Sequence, residues 1–199
     1  FLGPPPSTEI LIKALPRLKL IQVPWTGVES ISFDDLSFLN IPCANSHSNS
    51  AVVAEMAISL LFELLKKVAL HDRDLRSGIW HRPGDPSGFF PPEKLSGSRV
   101  GFFGYGAISK SIHKMLSGFD IRFTACVNTP RDFDAIEDVF SPNGLDSFLS
   151  GIDVLFVAAP LTPATNGIFD ANLMKKLNKK AYIVNVSRAD LFIESDLFE

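Results

Sequence analysis

Residues 99–109 read Arg-Val-Gly-Phe-Phe-Gly-Tyr-Gly-Ala-Ile-Ser, and no other stretch constrains the fold as tightly. The apolar run Val100 to Phe103 has the length of a buried strand, and Ala107 to Leu116 carries apolar residues at helical spacing. Gly104-Tyr105-Gly106 stands between them. A strand, a glycine turn and a helix in that order form the phosphate-binding corner of a dinucleotide fold. Gly104 permits the tight turn, and Gly106 lets the backbone approach a pyrophosphate. Unpaired N–H groups at the start of the helix then hold the anion. The G-x-G-x-x-G pattern breaks at its third glycine, where Ser109 stands. That position serves close packing of helix on strand, and serine is small enough to be tolerated at some cost.

Strand-like and helix-like segments alternate from this corner onward: 99–103, 107–117, 121–127, a polar loop, a short helix at Leu145 to Leu149, then 153–158, 171–177 and 181–186. Such alternation predicts an α/β fold with a doubly wound parallel sheet, Rossmann-like. Upstream, Ser7 caps a helix over 8–15 that Pro16 ends, and Leu18 to Val23 and Ile41 to Ala44 read as strands with a short helix after Asp34 between them. Asn49 or Ser50 caps a long helix whose apolar positions Val53, Ala57, Leu60, Leu61, Leu64 and Val68 recur at helical spacing, with Gly78 as its stop. Residues 79–97, rich in proline and glycine, form a linker. The domain reading is therefore 1–50 as one part and 51–199 as a nucleotide-binding domain, made of helix 51–78, linker 79–97 and core 98–199.

A net charge of −3 with mixed signs gives no electrostatic reason to expect nucleic acid or anionic membrane as partner. Cys43 and Cys126 lie far apart, which predicts buried thiols in a reduced, cytoplasmic protein. The apolar stretch Ala51 to Leu70 contains Glu55, Glu63, Lys66 and Lys67, so it reads as an amphipathic helix and not a membrane span. The chain opens on Phe1 and stops at Glu199 where a helix begins, which reads as an internal fragment, with a targeting segment upstream of it left open. His47, His71, His81 and His113 are dispersed, so no metal site is expected, and His113 reads as a helix-surface residue. Trp25 reads as core or as pocket lining, and Phe89-Phe90 as an interface plug.

Ligands of open α/β sheets bind beyond the carboxyl ends of the strands. Three ends are informative here: Gly104 to Gly106, Ala158 to Thr165, and Asn185 to Asp190. Arg188 at the third end suits a carboxylate clamp, with a surface ion pair as the alternative. An NAD-selective site carries an acid about 20 residues after the glycines. The window here reads Ala-Cys-Val-Asn-Thr-Pro-Arg over 125–131. Asn128 or Arg131 would accept a 2′-phosphate, which leans the reading toward NADP over NAD; a solvated Arg131, with Asp132 serving NAD, is the alternative.

Five segments, VVAEMAISLLFELLKK (52–67), DRDLRSGIW (72–80), LSGSRVGFFGYGAIS (95–109), PLTPATNGIFD (160–170) and YIVNVSRAD (182–190), occur in an order and spacing that resemble the D-isomer-specific 2-hydroxyacid dehydrogenases. The resemblance runs from about Leu18 to Glu199. It implies hydride transfer between NAD or NADP and C2 of a small 2-keto or 2-hydroxy acid. Arg188 matches the family's catalytic arginine. Thr26 and Gly27 match the backbone that meets the substrate carboxylate beside the nicotinamide, and Asn49 matches a polar residue next to the interdomain helix. Ala107 and Ile108 match positions over the pyrophosphate; Ala159, Val186 and Ser187, with Pro160 beside them, match the nicotinamide half. The resemblance further implies that 1–50 is the C-terminal part of a flavodoxin-like substrate domain and that the long helix forms a homodimer contact.

The chain departs from the family in four ways. The family's glutamate and acid–base histidine lie beyond Glu199, Ser109 and Ala189 replace glycines, and the second strand ends without an acid. If residue 189 has φ > 0, alanine there costs about 1 kcal/mol. Ser109, Ala189 and the early stop motivate an alternative: a catalytically inactive, corepressor-like dinucleotide-binding module. A short-chain dehydrogenase is a poor reading, because no Tyr-x-x-x-Lys occurs after the nucleotide turn: Ser109 follows Tyr105 and Val186 follows Tyr182 at that spacing.

Overall fold

A computed structural model describes residues 18–28, 31, 37, 40–84 and 91–198, and the chain divides into two compact units, 1–50 and 51–199. In the first unit β1 (Ile21–Gln22) and β2 (Cys43–Ala44) pair in parallel, Ile21 opposite Cys43. Ile21, Val23, Ile31 and Ile41 are buried around the pair. Both strands are shorter than their apolar runs predict, although Val23 N–H still donates to Ala44 O at 2.8 Å beyond the end of β1. The helices expected over 8–15 and after Asp34, and the Phe89-Phe90 pair, lie outside the described residues.

The second unit opens with α1 (Ser50–Lys66), which buries Ala54, Ala57, Leu61 and Leu65 at helical spacing. Periodicity predicts one helix running on to Gly78, but the structure breaks it at Lys67 (φ 54°, ψ 40°) and restarts it as α2 (Val68–Arg76). The cause is tertiary. In a continuous helix the Leu65 carbonyl would accept from Ala69. Instead the returning chain donates Glu93 N–H to Leu65 O at 2.7 Å. Ala69 N–H turns to Glu63 Oε1 at 2.9 Å, and Lys67 Nζ reaches Pro91 O at 3.1 Å.

Beyond the linker follow β3 (Arg99–Phe103), α3 (Ala107–Leu116), β4 (Arg122–Cys126), β5 (Asp138–Phe140), α4 (Leu145–Leu149), β6 (Val154–Val157), α5 (Ala171–Met174) and β7 (Tyr182–Asn185). The strands form one parallel sheet in the order β5-β4-β3-β6-β7. β5 falls where a polar loop is expected; three residues on a sheet edge are too few to show a period. Side chains alternate across the sheet, so both faces are apolar, as buried parallel strands require. Val100, Phe102, Val154 and Phe156 pack under α1 and α3. Phe103, Leu155 and Val157 pack under α4. Phe102 stacks between Phe123 and Phe156, at centroid distances of 5.8 and 5.9 Å. The predicted Rossmann-like, doubly wound sheet is present, and its strand order reverses at β3. That reversal opens a crevice at the carboxyl ends of β3 and β6.

Candidate functional site

The carboxyl ends of β3, β4 and β6 surround a cavity of about 580 Å³. Gly104 forms its floor with φ +87°, and a Cβ there would lie 2.8 Å from both Ala159 Cα and Ala159 N. Glycine is thus required twice, for the left-handed backbone and for the close approach. Gly104 N–H donates to Cys126 O at 2.9 Å, and Ala158 N–H donates to Phe103 O at 3.0 Å, which locks the turn between β4 and β6. Gly106 caps α3 with φ −92°, and nothing lies within 4 Å of where its Cβ would be. The chain's own packing does not demand glycine there; the open space suits a group that approaches the backbone. The first N–H groups of α3 lack helical acceptors. No side chain caps them and no acid stands in the first turn, so the positive end of the helix is unspent.

Ser109 is fully buried on the α3 stripe it shares with Ile112 and Leu116. Its Oγ donates to Gly104 O at 2.6 Å. The expected packing cost of replacing glycine is therefore offset by a hydrogen bond that ties helix to turn.

Asn128, Thr129 and Arg131 line one wall of the cavity, Ala159 and Pro160 another, and Thr162 and Thr165 close the end. Among the described residues no carboxylate lines it, and Asp132 is not part of the wall. Burial pushes the Cys126 thiol up to about 11, so this wall residue is neutral and unreactive. His113 is not the helix-surface residue its position suggests. It is half-buried, 4.1 Å from the Phe123 ring, and its Nδ1 lies 2.5 Å from the Tyr105 hydroxyl. Burial lowers the imidazole's proton affinity against an opposing pull from Asp134, and burial together with Asp134 raises that of the Tyr105 phenol.

The cavity is not lined by Val186, Ser187 or Arg188, which stand at the end of the neighbouring strand β7. Ser187 Oγ donates to Ala159 O and so joins the two strand ends. Asn185 braces the same turn: Nδ2 donates to Arg188 O and Oδ1 accepts from Ser187 N–H, each at 2.9 Å. Arg188 is half-buried, and its Nη1 donates to Ser187 O at 3.2 Å. Ala189 opens a 3₁₀ turn, Ala189–Leu191, and is absent from the residues with positive φ. The strain expected from replacing glycine there does not arise. Neither substitution that motivated the inactive alternative distorts the site.

In the first unit Thr26 Oγ1 donates to Ser46 O at 3.1 Å and lies 3.5 Å from Asn49 Oδ1, while Asn45 Nδ2 donates to Thr26 O at 2.8 Å. Thr26, Gly27 and Asn49 therefore belong to one local cluster. Trp25 is 39% exposed, which removes its core reading. Among the described residues no His/Cys/Asp/Glu group could hold a metal ion, and no helix is long and apolar enough to cross a membrane. Sequence reasoning gave no role to Tyr105, Phe133, Thr165 or Asn185. Tyr105, Thr165 and Asn185 sit inside the quoted motifs, but only their contacts distinguish them from spacers.

A sequence profile of the D-isomer specific 2-hydroxyacid dehydrogenase NAD-binding domain matches residues 58–199. Glycerate dehydrogenase of Methylorubrum extorquens is 29% identical over 193 residues, covering 94% of this chain and 58% of that protein. A glyoxylate/hydroxypyruvate reductase of Arabidopsis thaliana is 30% identical over 197 residues, covering 96% and 58%. Among solved structures, the NADPH-dependent glyoxylate/hydroxypyruvate reductase of Sinorhizobium meliloti in complex with NADP and malonate superposes with a TM-score of 0.81 at 26% identity, covering 98% of this chain and 60% of that one. The chain thus spans about three-fifths of the length of these relatives.

Proposed function

This chain belongs to the D-isomer specific 2-hydroxyacid dehydrogenases, and from that premise we propose that it holds NADP(H), or less favourably NAD(H), for hydride exchange with C2 of a small 2-keto or 2-hydroxy acid. The observation that carries the reading is the cavity over the Gly104 turn, lined by Arg131 and Asn128 and, among the described residues, by no carboxylate. The residues fit a dinucleotide: a turn that only glycine can make, an uncapped helix N-terminus and apolar walls. The nicotinamide, when bound, supplies or accepts the hydride.

This chain's residues do the rest of the work assigned here. Gly106, Ala107 and Ile108 present backbone N–H groups to the pyrophosphate. An acid near Arg131 would repel a 2′-phosphate, whereas its guanidinium attracts one. Ala159, Pro160, Val186 and Ser187 bound the path along the strand ends toward Arg188. The Arg188 guanidinium binds the substrate carboxylate by paired hydrogen bonds, held in place by the Asn185 brace. Thr26, Gly27 and Asn49 supply the substrate contacts of the first unit.

A second copy of the chain is the proposed partner. Val52, Met56, Leu60 and Leu64 recur every fourth residue on α1 as an exposed stripe, Val52 and Met56 opposite its buried face and 67% and 60% exposed. Such a stripe suits an isologous contact. Two unpaired cysteines support a cytoplasmic location.

The test is NADPH and NADH binding by nicotinamide fluorescence, followed by turnover of glyoxylate or hydroxypyruvate by the full-length protein, wild type and Arg188→Ala. Arg188→Ala should lower kcat/KM by about 10²–10⁴-fold, the loss of two charge-assisted hydrogen bonds, with cofactor affinity unchanged. Absence of saturable binding of either dinucleotide by the folded protein would sink the proposal.

A further inference from the structure

Between Gly104 and Gly106 stands a tyrosine that the phosphate-binding pattern does not require. The Tyr105 ring lies 5.5 Å from Phe102 in the sheet, and its hydroxyl is pinned by His113 Nδ1 at 2.5 Å. His113 in turn packs on Phe123. On its other side Tyr105 meets the Phe133 ring edge to face at 4.8 Å, and the Arg131 guanidinium carbon lies 5.1 Å over the Phe133 ring. Tyr105, Phe133 and Arg131 all line the cavity. A continuous series of contacts therefore runs from the buried sheet to an exposed arginine at the cavity's edge. Among the described residues Arg131 makes no ion pair, so its charge is available to an anion.

An arginine on a loop loses much side-chain freedom when it binds, and that loss weakens the complex unless the side chain is held beforehand. The face of an aromatic ring holds a guanidinium by its quadrupole. We propose that Phe133 is a specificity-determining positioning residue, which seats Arg131 for the 2′-phosphate of NADP(H) and is itself held by Tyr105 and His113. The assignment rests on the NADP(H) reading of the cavity. Phe133 touches no reacting atom. Its effect is confined to the part of the cofactor in which NADPH differs from NADH.

Titration calorimetry of the full chain with NADPH and with NADH separates these roles, with thermal melts as the check on folding. Phe133→Leu keeps an apolar contact with Tyr105 but removes the ring face; it should weaken NADPH binding about two- to fivefold and leave NADH unchanged. Phe133→Trp, which keeps a ring face, should retain the NADPH affinity. Tyr105→Phe, which loses only the tie to His113, should give a smaller loss in the same direction. Equal weakening of both cofactors by Phe133→Leu, or none, overturns the assignment. If Arg131→Ala leaves the NADPH-to-NADH ratio unchanged, the NADP(H) reading has failed and the proposal falls with it. A ratio that collapses in Arg131→Ala but survives Phe133→Leu refutes the role of Phe133 alone.

Discussion

Gly104→Ala and Gly106→Ala, two residues apart in the same turn, should fail in opposite ways. At Gly104 an alanine must adopt φ +87°, which costs about 1–2 kcal/mol for an L residue. Its Cβ would also stand 2.8 Å from backbone atoms of Ala159, which cannot swing aside as a side chain does. Overpacking of that kind costs about 1–3 kcal/mol more. The sum, about 2–5 kcal/mol, is a large share of a typical domain's stability. For a chain of this size it corresponds to a fall in Tm of about 4–20 °C. At Gly106 φ is −92° and no atom lies within 4 Å of the added methyl, so stability should be unchanged or rise by about 0.4–1 kcal/mol. The methyl would instead occupy the space through which a pyrophosphate reaches the backbone, and NADPH affinity should fall. Thermal unfolding followed by near-UV circular dichroism, with and without NADPH, measures both quantities. A Gly104→Ala protein that melts within about 2 °C of wild type would refute the reasoning. So would a Gly106→Ala protein that loses as much stability as Gly104→Ala.

Ser109→Ala removes the serine donor from the half-buried Gly104 carbonyl and should cost about 0.5–1.5 kcal/mol, read from the midpoint of denaturant unfolding. Burial holds His113 below the ordinary imidazole range, so the unfolded chain takes up the proton at higher pH than the folded one. Stability should therefore be complete above the ordinary value of about 6.5 and decline as pH falls below it. Unfolding midpoints between pH 8 and 5 should show that decline, and His113→Asn should flatten it; an unchanged slope would exclude His113 as its source.

The glycine turn, the alternation of strands and helices and the apolar-on-both-faces β3 and β6 are legible from residue order because each depends on neighbours within a few positions. Gly104 reads correctly for the same reason: a tight turn between strand and helix needs a residue without Cβ. Arg188 is also legible, as a charged residue placed at a strand end. The break at Lys67 is not, because it depends on Glu93 taking the Leu65 carbonyl from 28 positions away in the chain. β5 is hidden for want of length, since three edge residues become a strand only when β4 offers its backbone.

Composition and local pattern by themselves determined the fold class, the position of the glycine turn and the end of the sheet at which the cavity opens. Tertiary structure alone decided what each departure from pattern means. Ser109 is accommodated because its hydroxyl finds the Gly104 carbonyl, and Ala189 because its backbone is helical. His113 leaves the surface because Phe102 and Tyr105, from β3 and its turn, and Phe123, from β4, converge on it. The physical reason is that periodicity reports which face of an element is buried, whereas the group that meets that face is set by how the chain folds back on it.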